Sequence, residues 1–272
     1  MTNDSFIYSF KVIGLERKQI VSAIAGALGE EVKYLGPPTF AYQTAGWMVD
    51  RNGVVTSPEI EDNKIFRMVL HALKTAGVTT EGNGTVTLSL NDHGGNSLRN
   101  TINLIWCKQS LIQKALGRQT GIIPHGLVNA INSVPIDTLE EFAEVINGAI
   151  DDGTIEDESQ LEFDLVDKTI SFSFFNASLN PEEVLAFCTL CQRINEQGRK
   201  RKFSSIKQRE VVNEKYAFRV WLLKLGFIGE AFKTDRKILL EKLTGDGAYR
   251  TEEARKAAEE KRNWKTASVN EN

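Results

Sequence analysis

The chain has 272 residues, of which 41% are hydrophobic and 25% are charged, the composition of an ordinary globular protein. This length exceeds that of a typical single domain, so it predicts two structural units. The longest apolar runs fall far short of the ~20 residues that a membrane-spanning helix needs. Residues 1–5 show no basic stretch ahead of an apolar one, so we expect neither a secretion signal nor a membrane partner.

The cysteines are few and odd in number, which predicts a reduced, cytoplasmic protein without a disulfide framework. Cys188 and Cys191 have the C-x-x-C spacing, but no second pair of ligands accompanies them and Cys107 stands alone. A zinc site needs four ligands. We therefore interpret the pair as buried thiols in a helix, and we predict no metal and no cofactor.

The net charge of −3 hides an uneven distribution along the chain. Residues 1–192 hold 13 basic and 24 acidic residues, whereas residues 193–250 hold 15 basic and 7 acidic residues. The last 22 residues carry 5 of each sign. This split predicts two surfaces with different partners, although each part could also carry charge only for solubility or attract the other.

The first part of the chain alternates between strand and helix patterns. Aromatic and β-branched residues alternate with polar ones at the start, and apolar residues then recur at helical spacing. In chain order we predict a strand at 5–13, a helix at 15–28, a β meander over 31–57 and a helix at 59–76. These elements define an N-terminal α+β unit, residues 1–78, and the glycine-containing residues 79–84 are interpreted as a linker.

A second α+β unit follows at residues 85–198. Thr138 and Glu141 form a capping box that predicts the start of one helix, and Asn180 followed by Pro181 predicts the start of another. In chain order we predict a strand at 85–90, a helix at 97–116, irregular structure with one short helix over 118–137, a helix at 139–150, a hairpin over 160–174 and a helix from 181. Both units share the order strand, helix, strands and helix, and the second adds residues 118–150.

Residues with catalytic potential are scattered. His93 and His125 stand next to glycines, but a catalytic histidine needs an acid or nucleophile within hydrogen-bond reach, and the spacing supplies none. The chain has no phosphate-binding loop and no nucleophile elbow. The acidic residues 151–158 lack the spacing of a calcium-binding loop, so we interpret them as a solvated loop. We therefore predict that the protein is not an enzyme.

The C-terminal part differs in charge and in pattern. Apolar spacing predicts helices at 213–225 and at about 230–243 within a basic segment, residues 199–250. Residues 251–272 are charged and predict a helical or disordered tail. The predicted fold class is therefore α+β, with two strand-helix-strands-helix units followed by a basic C-terminal helical segment.

The basic segment carries the predicted binding site. Clustered lysine and arginine residues favour nucleic acid, because each neutralised phosphate releases condensed counterions. The residues that we predict to contact phosphate, or another partner, are Arg199, Lys200, Arg201, Lys202, Lys207, Arg209, Lys215, Arg219, Lys233, Arg236 and Lys237. The simpler interpretation is a helical hairpin that packs on the acidic units with its charges in solvent.

Three stretches of the chain resemble a known group of proteins. Residues 10–44, 109–117 and above all 213–249 (NEKYAFRVWLLKLGFIGEAFKTDRKILLEKLTGDGAY) are similar to proteins encoded on mobile elements and prophages of Gram-positive gut bacteria. These are often labelled virulence-related, a label that is not evidence for toxicity. The resemblance implies a mobile-element setting and a bacterial cytoplasm, and it brings no catalytic residues.

Charge and resemblance together predict a non-enzymatic accessory protein of a mobile element. It would bind DNA, RNA or a nucleoprotein complex through residues 199–242. The alternative is an inhibitor of host defence, such as an anti-CRISPR or anti-restriction protein, that contacts a host nuclease or defence complex. In that case the acidic units could imitate the phosphate surface of DNA.

Overall fold

An antiparallel sheet with helices packed against it forms the architecture, which confirms the predicted α+β class. The computed structural model describes residues 5–155, 158–251, 253–258 and 260. Within these residues the strands are β1 (Ile7–Ile13), β2 (Lys33–Tyr34), β3 (Tyr42–Thr44), β4 (Trp47–Val49), β5 (Val54–Thr56), β6 (Thr79–Ser89), β7 (Leu161–Asp164) and β8 (Thr169–Asn176). The helices are α1 (Arg17–Leu28), α2 (Asn63–Thr75), α3 (Gly95–Trp106), α4 (Gln109–Leu116), α5 (His125–Ser133), α6 (Leu139–Asp151), α7 (Pro181–Lys200), α8 (Glu214–Lys224) and α9 (Lys233–Leu240).

The eight strands lie in the order β2-β3-β4-β5-β1-β6-β8-β7, and every neighbouring pair is antiparallel. Strand β1 pairs with β5 on one side and with the long strand β6 on the other. Strands from residues 1–78 and from residues 85–198 therefore share one sheet. The order of strands and helices matches the predicted order in both parts of the chain.

Residues 79–84 form the first half of β6, so their interpretation as a linker was wrong. Glu81 pairs with Lys11 of β1, and their side chains form an exposed salt bridge of 2.6 Å. The two glycines in this stretch have other roles: Gly82 lies in a β-bulge, and Gly84 lies in close contact with Tyr8. A Cβ atom at Gly84 would lie 2.7 Å from the Tyr8 hydroxyl, so this position accepts only glycine without rearrangement.

The two faces of the sheet differ in polarity because side chains alternate along each strand. Tyr8, Phe10 and Val86 point to one face and are fully or almost fully buried beneath the helices. The opposite face carries hydroxyl pairs that bond across neighbouring strands. These pairs are Ser9 with Thr56, Thr85 with Ser173 and Thr87 with Ser171, at 2.8–3.2 Å. The helices therefore pack on the aromatic face, and this polar face lies away from the core.

The helix predicted over 97–116 is broken into α3 and α4. The backbone leaves the helical conformation at Lys108, which has φ −127° and ψ 5°. The break turns Gln109 so that its side-chain oxygen accepts bonds from the backbone amides of Ile122 and Ile123, at 3.0 and 2.7 Å. The irregular segment after α4 is thereby tied to the start of that helix.

Apart from Arg199 and Lys200, which end α7, the basic segment is helical only in its second part. Residues 201–213, all of which the structure describes, form no helix or strand, because their apolar residues do not recur at helical spacing. Helix α8 lies where predicted, and the second helix begins as a short 3₁₀ turn, Glu230–Phe232, that leads into α9. Residues 253–258 of the predicted tail are helical. Residues 252, 259 and 261–272 of that tail, and Glu156 and Asp157 of the predicted acidic loop, lie outside the described residues.

Helices α3 and α7 cross at very close range, and this crossing positions the end of α7. A Cβ atom at Gly198 would lie 1.9 Å from the Thr101 hydroxyl oxygen. Cys188 and Cys191 face the core from the middle of α7, and burial raises the pKa of both thiols well above its usual value. Their interpretation as buried thiols is confirmed.

Candidate nucleic-acid interface

The basic residues that follow one another along the end of α7 form a continuous surface segment. We call residues 199–209 the basic strap. It contains six of the predicted contact residues and no acidic residue. The strap comprises the last two residues of α7 and the beginning of the irregular segment that leads to α8.

Side-chain amides of α3 hold the strap in place. Asn96, Asn100 and Asn103 are spaced by four and three residues, so they share one face of the helix. Their Nδ2 groups donate to the carbonyl oxygens of Lys202, Arg201 and Ser204, at 3.2, 2.7 and 3.2 Å respectively. Further along, the Gln208 side chain donates to the Trp106 carbonyl oxygen at 3.0 Å. The strap therefore follows α3 through polar contacts to its backbone, which leaves most of its own side chains in solvent.

Asn103 is the most buried of these anchors. It also forms a reciprocal pair with Asn132, with Nδ2–Oδ1 distances of 2.9 and 3.0 Å. Because buried amides without partners are unfavourable, this pair holds in place the Asn103 side chain that bonds the strap. The sequence carries the three asparagines, but their common target lies about a hundred residues away, so local patterns did not reveal it.

Replacing Asn103 by alanine is expected to lower the free energy of unfolding by about 2–3 kcal/mol, because the Ser204 carbonyl and the Asn132 Oδ1 atom both lose the Asn103 amide that donates to them. It should also speed tryptic cleavage at the strap, which limited proteolysis with mass spectrometry measures. The matched change of the half-buried Asn96 to alanine should cost no more than about 1 kcal/mol. Equal effects of the two changes would contradict the anchoring role.

The strap presents charge and one aromatic ring to solvent. Lys202, Lys207 and Arg209 are exposed, and Phe203 is 74% exposed. Between them Ser204 is buried at 4% exposure, where its backbone meets Asn103. Lys200 lies 2.5 Å from Glu196, a half-buried carboxylate that also pairs with Arg193 at 2.6 Å. The Lys200 side chain itself is exposed. These side chains are available to an incoming anion.

Arg199 lies beside His93, and this pair couples the strap to the loop before α3. An Arg199 Nη1 donates to the Asn91 carbonyl oxygen at 3.4 Å. His93 is only 9% exposed, and its Nδ1 lies 2.9 Å from the Ser97 hydroxyl. Burial, and then the charge of Arg199, lower the pKa of His93 to about 4. His93 is therefore a neutral, buried group at neutral pH.

The low pKa of His93 predicts a loss of stability in mild acid. As the pH falls, the unfolded chain binds a proton near pH 6.5, whereas the folded chain binds it only near pH 4. The free energy of unfolding should therefore decrease by about 3 kcal/mol in total as the pH falls through that window. Chemical denaturation of the parent chain and of H93Q should show this loss in the parent and a smaller one in the variant. The same change at the exposed His71 is the control for losing a histidine from the surface, and identical profiles for H93Q and the parent would contradict the assignment.

The predicted contact residues on α8 are partly covered. Lys215 and Arg219 are half-buried, and Arg219 Nη1 donates to the Gly247 carbonyl oxygen at 3.4 Å. The turn that covers them is held by Asn213, whose Nδ2 donates to the Asp246 carbonyl oxygen at 3.0 Å. The α8 pair therefore packs against the C-terminal turn.

The predicted cluster on α9 lies apart from the strap. Arg236 Nη1 donates to the carbonyl oxygens of Phe227 and Gly229 at 2.8 and 3.0 Å, so this guanidinium holds the turn between α8 and α9. Lys233 pairs with Glu230 at 3.2 Å, and Lys237 is exposed. Phe232 stacks on Arg193 of α7, six residues or about 9 Å of helix before Arg199. The structure thus joins the six strap residues and leaves the α9 cluster near the middle of α7.

A charged cleft that the sequence did not suggest lies between α2, α7 and α9. It encloses about 370 Å³. Arg67 forms a salt bridge with Glu182 at 2.9 Å beside it, and burial raises the pKa of Asp235, opposed by a hydrogen bond from Thr189. These groups come from three distant segments, so local sequence patterns could not bring them together.

A second surface, between α6 and β7, combines acidic and apolar side chains. Residues 119–167 hold 12 Asp or Glu residues and no Lys or Arg. In this region a groove of about 860 Å³ lies between α6 and β7, the edge strand of the sheet. Ile146, Ile150 and Phe163 line its apolar part, and Glu158 and Glu162 stand at its rim. Counting charge in shorter windows would have found this region from the sequence.

Comparisons with known proteins leave the family open. No family model matches the chain, and no curated protein matches it either. Within the part of the chain that the structure describes, no helix is long and apolar enough to cross a membrane. In that same part, no three His, Cys, Asp or Glu residues are grouped so that they could hold a metal ion.

Proposed function

We propose that the protein is a non-enzymatic accessory protein of a mobile element that binds DNA or RNA through the basic strap. One observation carries this proposal. Six lysine and arginine residues fall within eleven positions, and amides of α3 fix the backbone that bears them. The mobile-element and cytoplasmic setting rests on the resemblance of residues 10–44, 109–117 and 213–249.

The physical basis is phosphate neutralisation on a pre-arranged backbone. Each strap cation that contacts a phosphate releases condensed counterions, so binding strengthens as salt falls. Because the strap is already ordered, little conformational entropy is lost when the ligand binds. Four contacts, from Lys200, Lys202, Lys207 and Arg209, would give a slope of log K against log[salt] of about −4 on duplex DNA and about −3 on single strands.

The proposed interface contains fewer residues than the set predicted from the sequence. Arg236 is held by two backbone carbonyls, and Lys215 and Arg219 pack under the C-terminal turn. Using these side chains for phosphate would require breaking their contacts within the fold. Lys233 and Lys237 remain predicted contacts that lie outside the strap.

A salt titration tests the proposal. Fluorescence anisotropy of the full chain with labelled duplex DNA, single-stranded DNA and RNA should show binding that weakens steeply from about 50 to 200 mM salt. Absence of binding at the lowest salt for all three ligands would remove the proposal. Deleting residues 199–272 is a poor test, because α9 packs on α7 and its loss would expose the core.

The acidic groove supports a second candidate, an inhibitor of host defence that acts by protein contact. A groove with an apolar floor and a carboxylate rim fits a basic, amphipathic surface on a nuclease or other nucleic-acid-binding protein. The same carboxylates could occupy the positions that DNA phosphates occupy in such a protein. This candidate predicts a stable complex with a host defence protein and protection of incoming DNA in a plaque or transformation assay.

A paired set of variants separates the two candidates. Changing Glu158 and Glu162 to lysine should abolish protection if the groove is the contact surface. Changing the exposed Glu30 and Glu31, which lie just after α1, to lysine supplies the same change in charge elsewhere. Equal protection by both variants, or none by the parent chain, would exclude this candidate.

A further inference from the structure

We infer that the nucleic acid bound at the strap is single-stranded, with an unpaired base stacked on Phe203. This inference rests on the proposed function and names its ligand class. The observation behind it is an exposed aromatic ring on a segment that is otherwise held by polar contacts and surrounded by cations.

The backbone on both sides of Phe203 is fixed. The carbonyl of Lys202 accepts from Asn96, and the carbonyl of Ser204 accepts from Asn103. The Phe203 backbone is therefore held in place, yet the residue is 74% exposed and contributes little packing to the fold. Exposed Lys202 adjoins it, and exposed Lys207 follows four residues later.

An aromatic ring in this setting distinguishes single strands from duplexes. An unpaired base can place its flat face on the ring while its phosphates meet neighbouring cations, and every base offers such a face. In a duplex the faces are already stacked on one another, and only base edges are accessible in the grooves. Phe203 thus adds affinity for single strands, while the cations act on both kinds of ligand.

A second aromatic site lies at the far end of the strap. Gln208 bonds the Trp106 carbonyl at the end of α3, and the half-buried Trp106 ring packs against the His125 ring with centroids 5.6 Å apart. Phe203 and Gln208 are separated by at most about 17 Å of chain. Lys207 lies between these two positions, and cations beside aromatic rings are typical of surfaces that bind single strands without regard to sequence.

The experiment compares four labelled ligands of equal length by anisotropy: an oligo-dT, an oligo-rU, a duplex DNA and an abasic DNA strand that has phosphates but no bases. The full chain is tested as the parent, as Phe203→Ala and as Phe203→Trp. The matched control is Val212→Ala, since Val212 is 98% exposed on the same irregular segment but lies outside the strap. Loss of an exposed side chain should leave folding intact in each case.

The inference predicts that F203A weakens binding to oligo-dT, oligo-rU or both by about 5- to 100-fold. Its affinity for the duplex and for the abasic strand should stay within about two-fold of the parent, with F203W binding single strands as the parent does and V212A unchanged. A preference for oligo-dT or oligo-rU identifies the natural strand as DNA or RNA.

Other results would overturn the inference in distinguishable ways. If F203A binds every ligand as the parent does, or weakens duplex and abasic binding equally, the stacking role is wrong while the proposed function stands. If the parent binds no ligand at low salt, the proposed function itself is wrong.

Discussion

Changing Lys200, Lys202, Lys207 and Arg209 together to glutamine is expected to weaken nucleic-acid binding about 100-fold or more at ~50 mM salt. It should also reduce the magnitude of the slope of log K against log[salt] by about 3 to 4, since four phosphate contacts are removed. Arg199 and Arg201 stay in place because both contact the folded chain. The loss should be similar for all sequences, since these contacts are to phosphate.

The control for this prediction is a variant with the same loss of charge on another surface. Lys18, Lys33, Lys64 and Lys74 are exposed residues of α1, β2 and α2, and they are changed to glutamine together. This variant should keep a steep salt slope and lose little affinity. If both variants weaken binding equally, net charge and not the strap governs the interaction.

Changing Gly198 to alanine is expected to lower the free energy of unfolding by about 2–3 kcal/mol, because the added methyl group overpacks the crossing of α3 and α7. Its Cβ would lie 1.9 Å from the Thr101 hydroxyl oxygen and 3.1 Å from the Ser97 carbonyl oxygen. Both helices would have to separate at the point from which the strap emerges. Urea denaturation, followed by far-ultraviolet circular dichroism, measures the change.

Two further variants sharpen the Gly198 prediction. The double variant G198A with Thr101→Ala removes the hydroxyl that the new methyl group meets, so it should recover part of the loss. Gly26, exposed on α1, has no atom within 4 Å of its would-be Cβ, so G26A should be stabilising by up to about 1 kcal/mol. A loss at Gly26 as large as that at Gly198 would contradict the packing explanation.

Local signals predicted most of the helices because caps and periodicity act within a few residues. Thr138 and Glu141 form both bonds of the capping box, and Asn180 accepts from the Glu182 amide as expected of a cap. The prediction of a linker at residues 79–84 was wrong because glycine occurs both in loops and in β-bulges, and the local sequence does not distinguish them. Only the pairing of β6 with β1, far apart in sequence, distinguishes them.

The candidate site was only partly predictable for the same reason. Charge density marked the strap, since it is a property of consecutive residues. Its path could not be predicted, because it depends on amides of α3 that lie about a hundred residues earlier. The sequence also could not show which basic residues of α9 are accessible. Lys237 is exposed, whereas the guanidinium of Arg236 is bound to backbone carbonyls.

Lysine footprinting tests the central claim most directly. The full chain is acetylated with and without a single-stranded oligonucleotide, and the modification of each lysine is measured by mass spectrometry. We expect the oligonucleotide to protect Lys202 and Lys207, while Lys18, Lys233 and Lys237 react as they do in the free protein. Protection of the α9 lysines in place of the strap lysines, or of none of them, would contradict the assignment of the strap as the nucleic-acid interface.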